Sequence, residues 1–245
     1  MRILVIIPAF NEARAISKVI GDIPHGLVDE VVVVNNASTD ETGQRAREAG
    51  ATVVREERRG YGQACLKGLN YARYREPDIV VFLDGDYSDH PDEMTALVAP
   101  IVCGDADFVV GSRMKGKRER GAMLPQAVVG NHLACFLMRL FWNARYTDLG
   151  PFRAIRYSEL LRLDMQDRTF GWTIEMQIKA ALLDLRTVEI PVSYRHRVGV
   201  SKITGTVAGT IRASVKIMWT ILRFAARDFR IPAAGDGKHH RKKSV

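Results

Sequence analysis

The stretch "VVFLDGDYSDHPDEM", residues 80–94, holds the key to the chain. An apolar run, Val80 to Leu83, stops abruptly at Asp84-Gly85-Asp86. Such a run reads as a strand buried on both faces, the kind found in parallel sheets. Two carboxylates flanking a glycine at the strand end can converge on one point. Close carboxylates repel unless a cation sits between them, and hard oxygen ligands suit Mg2+ or Mn2+. The alternative is a plain acidic turn, because Asp-Gly is a frequent turn dipeptide.

The same pattern recurs on both sides of this stretch. "RILVIIPAF" (2–10), "VDEVVVVNN" (28–36), "ATVVREE" (51–57) and "ADFVVGSRM" (106–114) are further short β-branched runs. Between them, "NEARAISKVIGDI", "ETGQRAREAG", "GYGQACLKGLNYARYRE" and "HPDEMTALVAPIVCG" read as helices, with a stop at Gly50 and a proline, Pro91, near a first turn. Alternating strands and helices predict an α/β fold, with a mostly parallel central sheet and helices on both faces. Ligands bind beyond the carboxyl ends of such strands. The polar clusters "PAFNE", "NNASTD", "DGD" and "GSRM" fall there.

After residue 115 the pattern changes. "MKGKRERGAMLPQ" reads as a mobile basic loop and "AVVGNHLACFLMRLFW" as an amphipathic or buried helix. "YTDLGPFRAIRYSELLRL" reads as a turn, strand and helix start, "TFGWTIEMQIKAALLDL" as a helix, and "RTVEIPVSYRHR" as a strand. No repeat or internal linker is visible. Residues 1–228 are therefore expected to form one domain, with 229–245 a basic disordered tail.

Composition narrows the class. Hydrophobic residues make up 47% of the 245, ordinary for a globular protein. The three cysteines show neither metal spacing nor an even disulfide set, which suits a reducing compartment. "MRILVIIPAFNE" is not a signal peptide, and no stretch is long and uncharged enough to span a bilayer. A cytoplasmic protein is expected. The net charge of +8 is compatible with nucleic acid, an anionic membrane surface or a phosphorylated substrate.

Taken together and in this order, "IIPAFNE", "VVVVNNASTD", "GYGQA", "FLDGDYSDHP" and "VVGSRM" resemble the family 2 glycosyltransferases. That family has the nucleotide-diphospho-sugar transferase fold called GT-A. "TDLGPFRAIR", "GWTIEMQIKA" and "VEIPVSYRHRVGVSKI" are similar to its dolichyl-phosphate mannosyltransferase and polyprenyl-phosphate glycosyltransferase branch. The likeness spans roughly residues 3–225. It implies an inverting, metal-dependent transfer of a hexose from a UDP- or GDP-linked sugar to a polyprenyl or dolichyl-type phosphate.

The resemblance also implies roles for individual residues. Pro8, Ala9, Phe10, Asn11 and Glu12 would wrap the base and ribose, although Glu12 also suits a helix N-terminus. The family usually has Asp-Asp after the second strand. Here Asn35-Asn36 stands there, so Asn36 would meet the base through an amide, which both donates and accepts. Ser38 and Asp40 are retained, and equally suit a helix N-cap. Gly62 and Gly85 complete the nucleotide set. Asp84 and Asp86 match the metal motif, with Asp86 the direct ligand. Ser88 stands where many relatives carry glutamine, leaving room for a water.

On the acceptor side, Arg113 matches the residue that meets the acceptor phosphate, and Arg120 is a second candidate. Arg195, Arg197, Ser201 and Lys202 resemble a phosphate-clamping loop; guanidinium forks and an ammonium suit phosphate oxygens. Asp148 and Glu175 would line the sugar pocket or act as a base. A hydroxyl acceptor needs such a base, whereas an anionic phosphate needs none.

The last predicted helix, 206–227, sets Val207, Ile211, Val215, Met218, Trp219 and Leu222 beside Arg212, Lys216, Arg223 and Arg227. It reads as a membrane-surface anchor or as a helix packed on the domain. Peripheral attachment to an anionic membrane, or help from a membrane partner, would suit a lipid-linked acceptor. Other readings keep the donor and change the acceptor to a lipid or small-molecule hydroxyl. A pyrophosphorylase would need a glycine-rich basic loop where "PAFNE" stands. A nucleic-acid-binding module would need aromatic stacking or recognition-helix motifs that are lacking, so no nucleic acid partner is expected.

Overall fold

A computed structural model of the chain describes residues 1–199 and 207–228. Seven strands form one sheet: β1 (Ile3–Ala9), β2 (Glu30–Asn36), β3 (Thr52–Glu56), β4 (Ile79–Phe82), β5 (Phe108–Ser112), β6 (Arg153–Arg156) and β7 (Thr187–Pro191). Their order across the sheet is β3-β2-β1-β4-β6-β5-β7. All neighbours are parallel except β6, which runs antiparallel to both β4 and β5.

The apolar runs form strands because both faces are covered. Alternate β1 residues go to opposite layers. Ile3, Val5 and Ile7 pack with α1 (Ile16–Gly21) and α4 (Met94–Val102). Leu4 and Ile6 pack with α3 (Tyr61–Arg75) and α7 (Trp172–Leu182). Helix α2 (Thr42–Glu48) covers β2 and β3. A third cluster joins α5 (Pro125–Trp142), α7 and α8 (Val207–Asp228) through Ala134, Met138, Ile174, Ile178 and Ile221. Helix α6 (Tyr157–Arg162) follows β6 directly.

The chain runs outward from β1 to β3, then returns to place β4 on the other side of β1. This reversal leaves a crevice at the carboxyl ends of β1 and β4, where such sheets take ligands. Asp84 and Asp86 lie just past the end of β4.

Two local expectations change. The segment 169–185 is not wholly helical, because α7 starts at Trp172 and Thr169–Gly171 remain a turn. The basic loop 114–126 is pinned: Tyr194 donates its amide to the Lys117 carbonyl, and the Glu119 amide donates back to Tyr194. Tyr194 also bridges to Asp89 and Arg118. The expected tail, 229–245, lies outside the described residues.

Candidate active site

Two cavities meet at Asp84. The first, at the ends of β1 and β4, is lined by Pro8, Ala9, Phe10, Glu12, Asn36, Gly85 and Asp86, with Arg59, Gly60, Tyr61, Thr169, Phe170 and Arg197 on its far side. The second is a groove whose inner end holds Asp84, Arg113, Tyr61, Tyr194 and Arg197. Its walls come from α5 and α8, among them Ala127, Leu133, Ala213, Ile217 and Met218, and from Met123 and Leu124 before α5.

Asp84 and Asp86 are held differently. Asp86 is buried; its Oδ1 accepts from the Ser88 amide at 2.9 Å and the Ser88 hydroxyl at 2.5 Å, and its Oδ2 pairs with Arg197. Asp84 is half-buried, with Oδ1 sealed from solvent and without a hydrogen bond. Burial, reinforced by the neighbouring Asp86 charge, pushes the Asp84 carboxyl up to about 7, against the pull of Arg197 and the Tyr61 hydroxyl. A divalent cation fits this donor set. One buried carboxylate oxygen lacks a partner, and among the described residues no group of three acids, histidines or cysteines could enclose an ion. A hard cation held by two carboxylates keeps its other positions for water and substrate oxygens, as Mg2+ and Mn2+ commonly do.

The nucleotide set divides into residues that line the cavity and residues that build it. Pro8, Ala9, Phe10, Glu12 and Gly85 line it. Asn36 does both, but its amide is already occupied: Nδ2 donates to the carbonyls of Glu56 and Arg58, and Oδ1 accepts from the Gly60 amide. It holds the 56–60 turn with both amide atoms while lining the cavity. Asn11, with φ +54°, exchanges hydrogen bonds with Thr39. Ser38 accepts from the Asn11 amide, and Asp40 from Ala13 and Thr42. These three fasten the β1 turn to the β2 turn. Gly62 lies beside the 167–169 backbone: a Cβ there would stand 2.1 Å from the Asp167 carbonyl oxygen. The Gly62 and Gln63 amides, orphaned at the start of α3, donate to the carbonyls of Thr169 and Arg168.

Arg113 and Arg197 reach the meeting point of the cavities. Arg195 does not. Its guanidinium stacks 3.3 Å from the Tyr87 ring centroid and donates to the carbonyls of Tyr87 and Asp89, tying residues 194–198 to the metal-motif loop. Arg120 is placed through its carbonyl, which lies 3.0 Å from the His196 ring, and its side chain lines neither cavity. Ser201 and Lys202 lie outside the described residues.

The two acids expected near the sugar are committed elsewhere. Asp148 is fully buried and grips Arg113. Glu175 lies under the 164–167 loop, accepting from the Gln166 and Asp167 amides and pairing with Lys179 at 2.8 Å. Glu175 lines neither cavity; its carboxylate caps the part-buried Gln166 and Asp167 amides.

Four features escaped the sequence reading. Arg59 stacks on Phe10 at 4.5 Å across the first cavity. Thr169 and Phe170 were hidden inside an apparent helix. Arg153, from "GPFR", is fully buried and donates to the carbonyls of Leu149, Gly150 and Thr173, bracing the floor below Asp148. Asp89 is 1% exposed with both carboxylate oxygens unpartnered, and burial raises its pKa well above the carboxylate range, the Asp84 charge adding to this.

With this geometry in view, the sequence model of Glycosyl transferase family 2 matches residues 4–163. The chain belongs to that family. It is a glycosyltransferase with the GT-A fold. A relative named an uncharacterized glycosyltransferase from Mycobacterium tuberculosis is 34% identical over 222 residues, 90% of this chain and 97% of its own length. Undecaprenyl-phosphate mannosyltransferase of Micrococcus luteus is 28% identical over 221 residues, 85% of this chain and 90% of its own. Among solved structures, glucosyl-3-phosphoglycerate synthase from Mycobacterium tuberculosis, in complex with Mn2+, UDP-glucose and phosphoglyceric acid, superimposes with a TM-score of 0.71 at 25% identity. That likeness covers 96% of this chain and 81% of the other.

Proposed function

We propose that this glycosyltransferase moves a hexose from a nucleoside diphosphate sugar, UDP- or GDP-linked, to a polyprenyl-type phosphate. The donor would occupy the cavity at β1 and β4, its diphosphate near Asp84, Asp86 and Arg197. A divalent cation, Mg2+ or Mn2+, would be held by Asp84 and Asp86 and would neutralise the departing diphosphate. The acceptor phosphate would rest on Arg113 and Arg197, and an oxygen of it would attack the sugar carbon as the bond to the diphosphate breaks. The nucleoside diphosphate leaves, and the configuration inverts.

The observation that carries the acceptor class is the groove. A small soluble acid has no use for apolar walls of Ala127, Leu133, Ile217 and Met218 leading to a half-buried arginine. An isoprenoid chain ending in phosphate uses both. The state of the acids supports a phosphate over a hydroxyl as nucleophile: Asp148 and Glu175 are both engaged, and an anionic phosphate needs no base. The solved neighbours favour a second reading, a phosphoglycerate-type acceptor in the same groove. Transfer assays with UDP- and GDP-sugars, each with polyprenyl phosphate or 3-phosphoglycerate and with or without Mn2+, separate the two. Lipid-linked product formed only with metal supports the proposal. Product with phosphoglycerate alone removes it.

A further inference from the structure

Among the described residues, nothing covers one face of helix α5. Val129, Leu133, Phe136 and Leu140 recur at four-, three- and four-residue steps and are 47–68% exposed. One turned-out apolar residue is normal; four on one helical stripe mark an interaction surface. The opposite face of α5 is spent on the core, through Ala134, Cys135 and Met138. Helix α8, which packs on both α5 and α7, repeats the design. Its Ile221 and Ala225 are buried, while Val215, Trp219 and Leu222 are 50–61% exposed.

We infer that the outer faces of α5 and α8 form one surface that seats this protein on an anionic lipid bilayer. The charge pattern selects the occupant. Helix α5 contains no acidic residue, and α8 contains only Asp228 at its end. The cations beside the apolar stripes are Arg139, Lys216, Arg223 and Arg227, all exposed or half-exposed. Trp219 lies between two of them, with Lys216 Nζ 5.0 Å and the Arg223 guanidinium 5.1 Å from its ring centroid. Apolar residues flanked by cations, with tryptophan between, match the headgroup boundary of a bilayer. A second copy of the chain fits poorly, because a two-fold interface would bring like charges together. Among the described residues no helix is long and apolar enough to cross a membrane, so the contact would be peripheral.

The groove gives the surface its use. It opens between the same two helices, and Leu133 belongs to both the groove wall and the exposed stripe. A chain on the bilayer would therefore present the groove to lipid. That use rests on the acceptor reading above; the seating does not.

The test is sedimentation of the full chain with vesicles of phosphatidylcholine alone, or mixed with phosphatidylglycerol. The double variant Phe136→Glu/Leu140→Glu and the single variant Trp219→Glu run alongside. All three positions are exposed and line neither cavity. Wild type should sediment with the mixed vesicles, and each variant should lose at least about tenfold in partitioning, an apolar-to-charged exchange at a bilayer interface being costly. Titration with UDP and GDP plus Mn2+ should be unchanged in the variants, which keeps a failure here separate from a failure of the donor reading. Unchanged partitioning in the α5 variant would assign binding to the basic tail and overturn the inference. Equal binding to neutral vesicles, or none to either, would overturn it also. So would a wild-type dimer in the ultracentrifuge that the double variant dissolves, which would make a second copy the occupant.

Discussion

Arg113 and Asp148 meet through two parallel hydrogen bonds of 2.8 Å, and the Arg113 amide adds a third to the same carboxylate. Asp148 is fully buried, and its backbone amide is held in turn by Glu189. The arginine at the inner end of the groove is thus fixed in direction before any ligand arrives.

Arg113→Lys should raise the acceptor KM by about 10–100-fold, because an ammonium cannot reproduce the fork. Asp148→Asn should act in the same direction while leaving nucleotide affinity unchanged. Steady-state kinetics varying the acceptor, with calorimetry of the nucleotide, checks both.

Asp86→Asn should abolish metal-dependent nucleotide binding. Calorimetric titration with UDP and GDP, with and without Mn2+, reads this directly and chooses the donor base. Metal-dependent binding that survives in the variant would remove Asp86 from the metal site.

Asp84 and Asp89 make the ligand-free protein sensitive to pH. Their folded pKa values lie above the ordinary carboxylate value, that of Asp84 at about 7. Between pH 3.8 and about 7 the folded state therefore keeps a proton that the unfolded chain has released. Stability contributed by protonated Asp84 is present at low pH and is lost as pH rises through that window. Asp89→Asn should raise the melting temperature at pH 8 by several degrees, about 2–4 °C for each kcal/mol recovered, and by little at pH 4. Thermal scans across pH test the sign.

Glu175→Gln should cost stability and not chemistry. Removing one partner of a buried ion pair costs about 3–5 kcal/mol, and the two capped amides are weakened besides. Urea unfolding should show the loss, while kcat of the folded fraction stays near wild type. A large fall in kcat at unchanged stability would restore Glu175 to the active site.

Gly62→Ala should loosen the donor cavity from outside it. The added methyl meets a backbone carbonyl, which cannot turn away like a side chain. An overpacking cost of about 1–3 kcal/mol is expected, together with weaker nucleotide binding, since Thr169 and Phe170 move with that backbone.

What could be read in advance follows from where the physics is local. Asp84 and Asp86 stood out because they end a run of buried apolar residues, and that contrast lies within a few positions. The parallel sheet was legible for the same reason. The reversal of β6 was not: "RAIR" is apolar enough for a strand but carries no mark of direction, which its neighbours β4 and β5 decide. The hold of Asn36 on the 56–60 turn was not legible because its partners, Glu56 to Gly60, approach only when β2 and β3 pair. Asp89 looked like one more polar turn residue until the fold closed around it. Glu175 was correctly judged buried, but burial does not say which side of a helix faces the substrate. Thr169 and Phe170 were masked by the helical residues that follow them.

The reversed strand also bears on how the chain is made. Strands β2, β3 and β4 each find one neighbour already made as they leave the ribosome. Strand β5 has only β6 and β7 as neighbours, and both are synthesised later. Until residue 156 has emerged, the flank of β4 beside the aspartates is a bare row of amides and carbonyls, open to pairing with another nascent chain. The interval between translating residues 112 and 156 is when this protein most needs a chaperone.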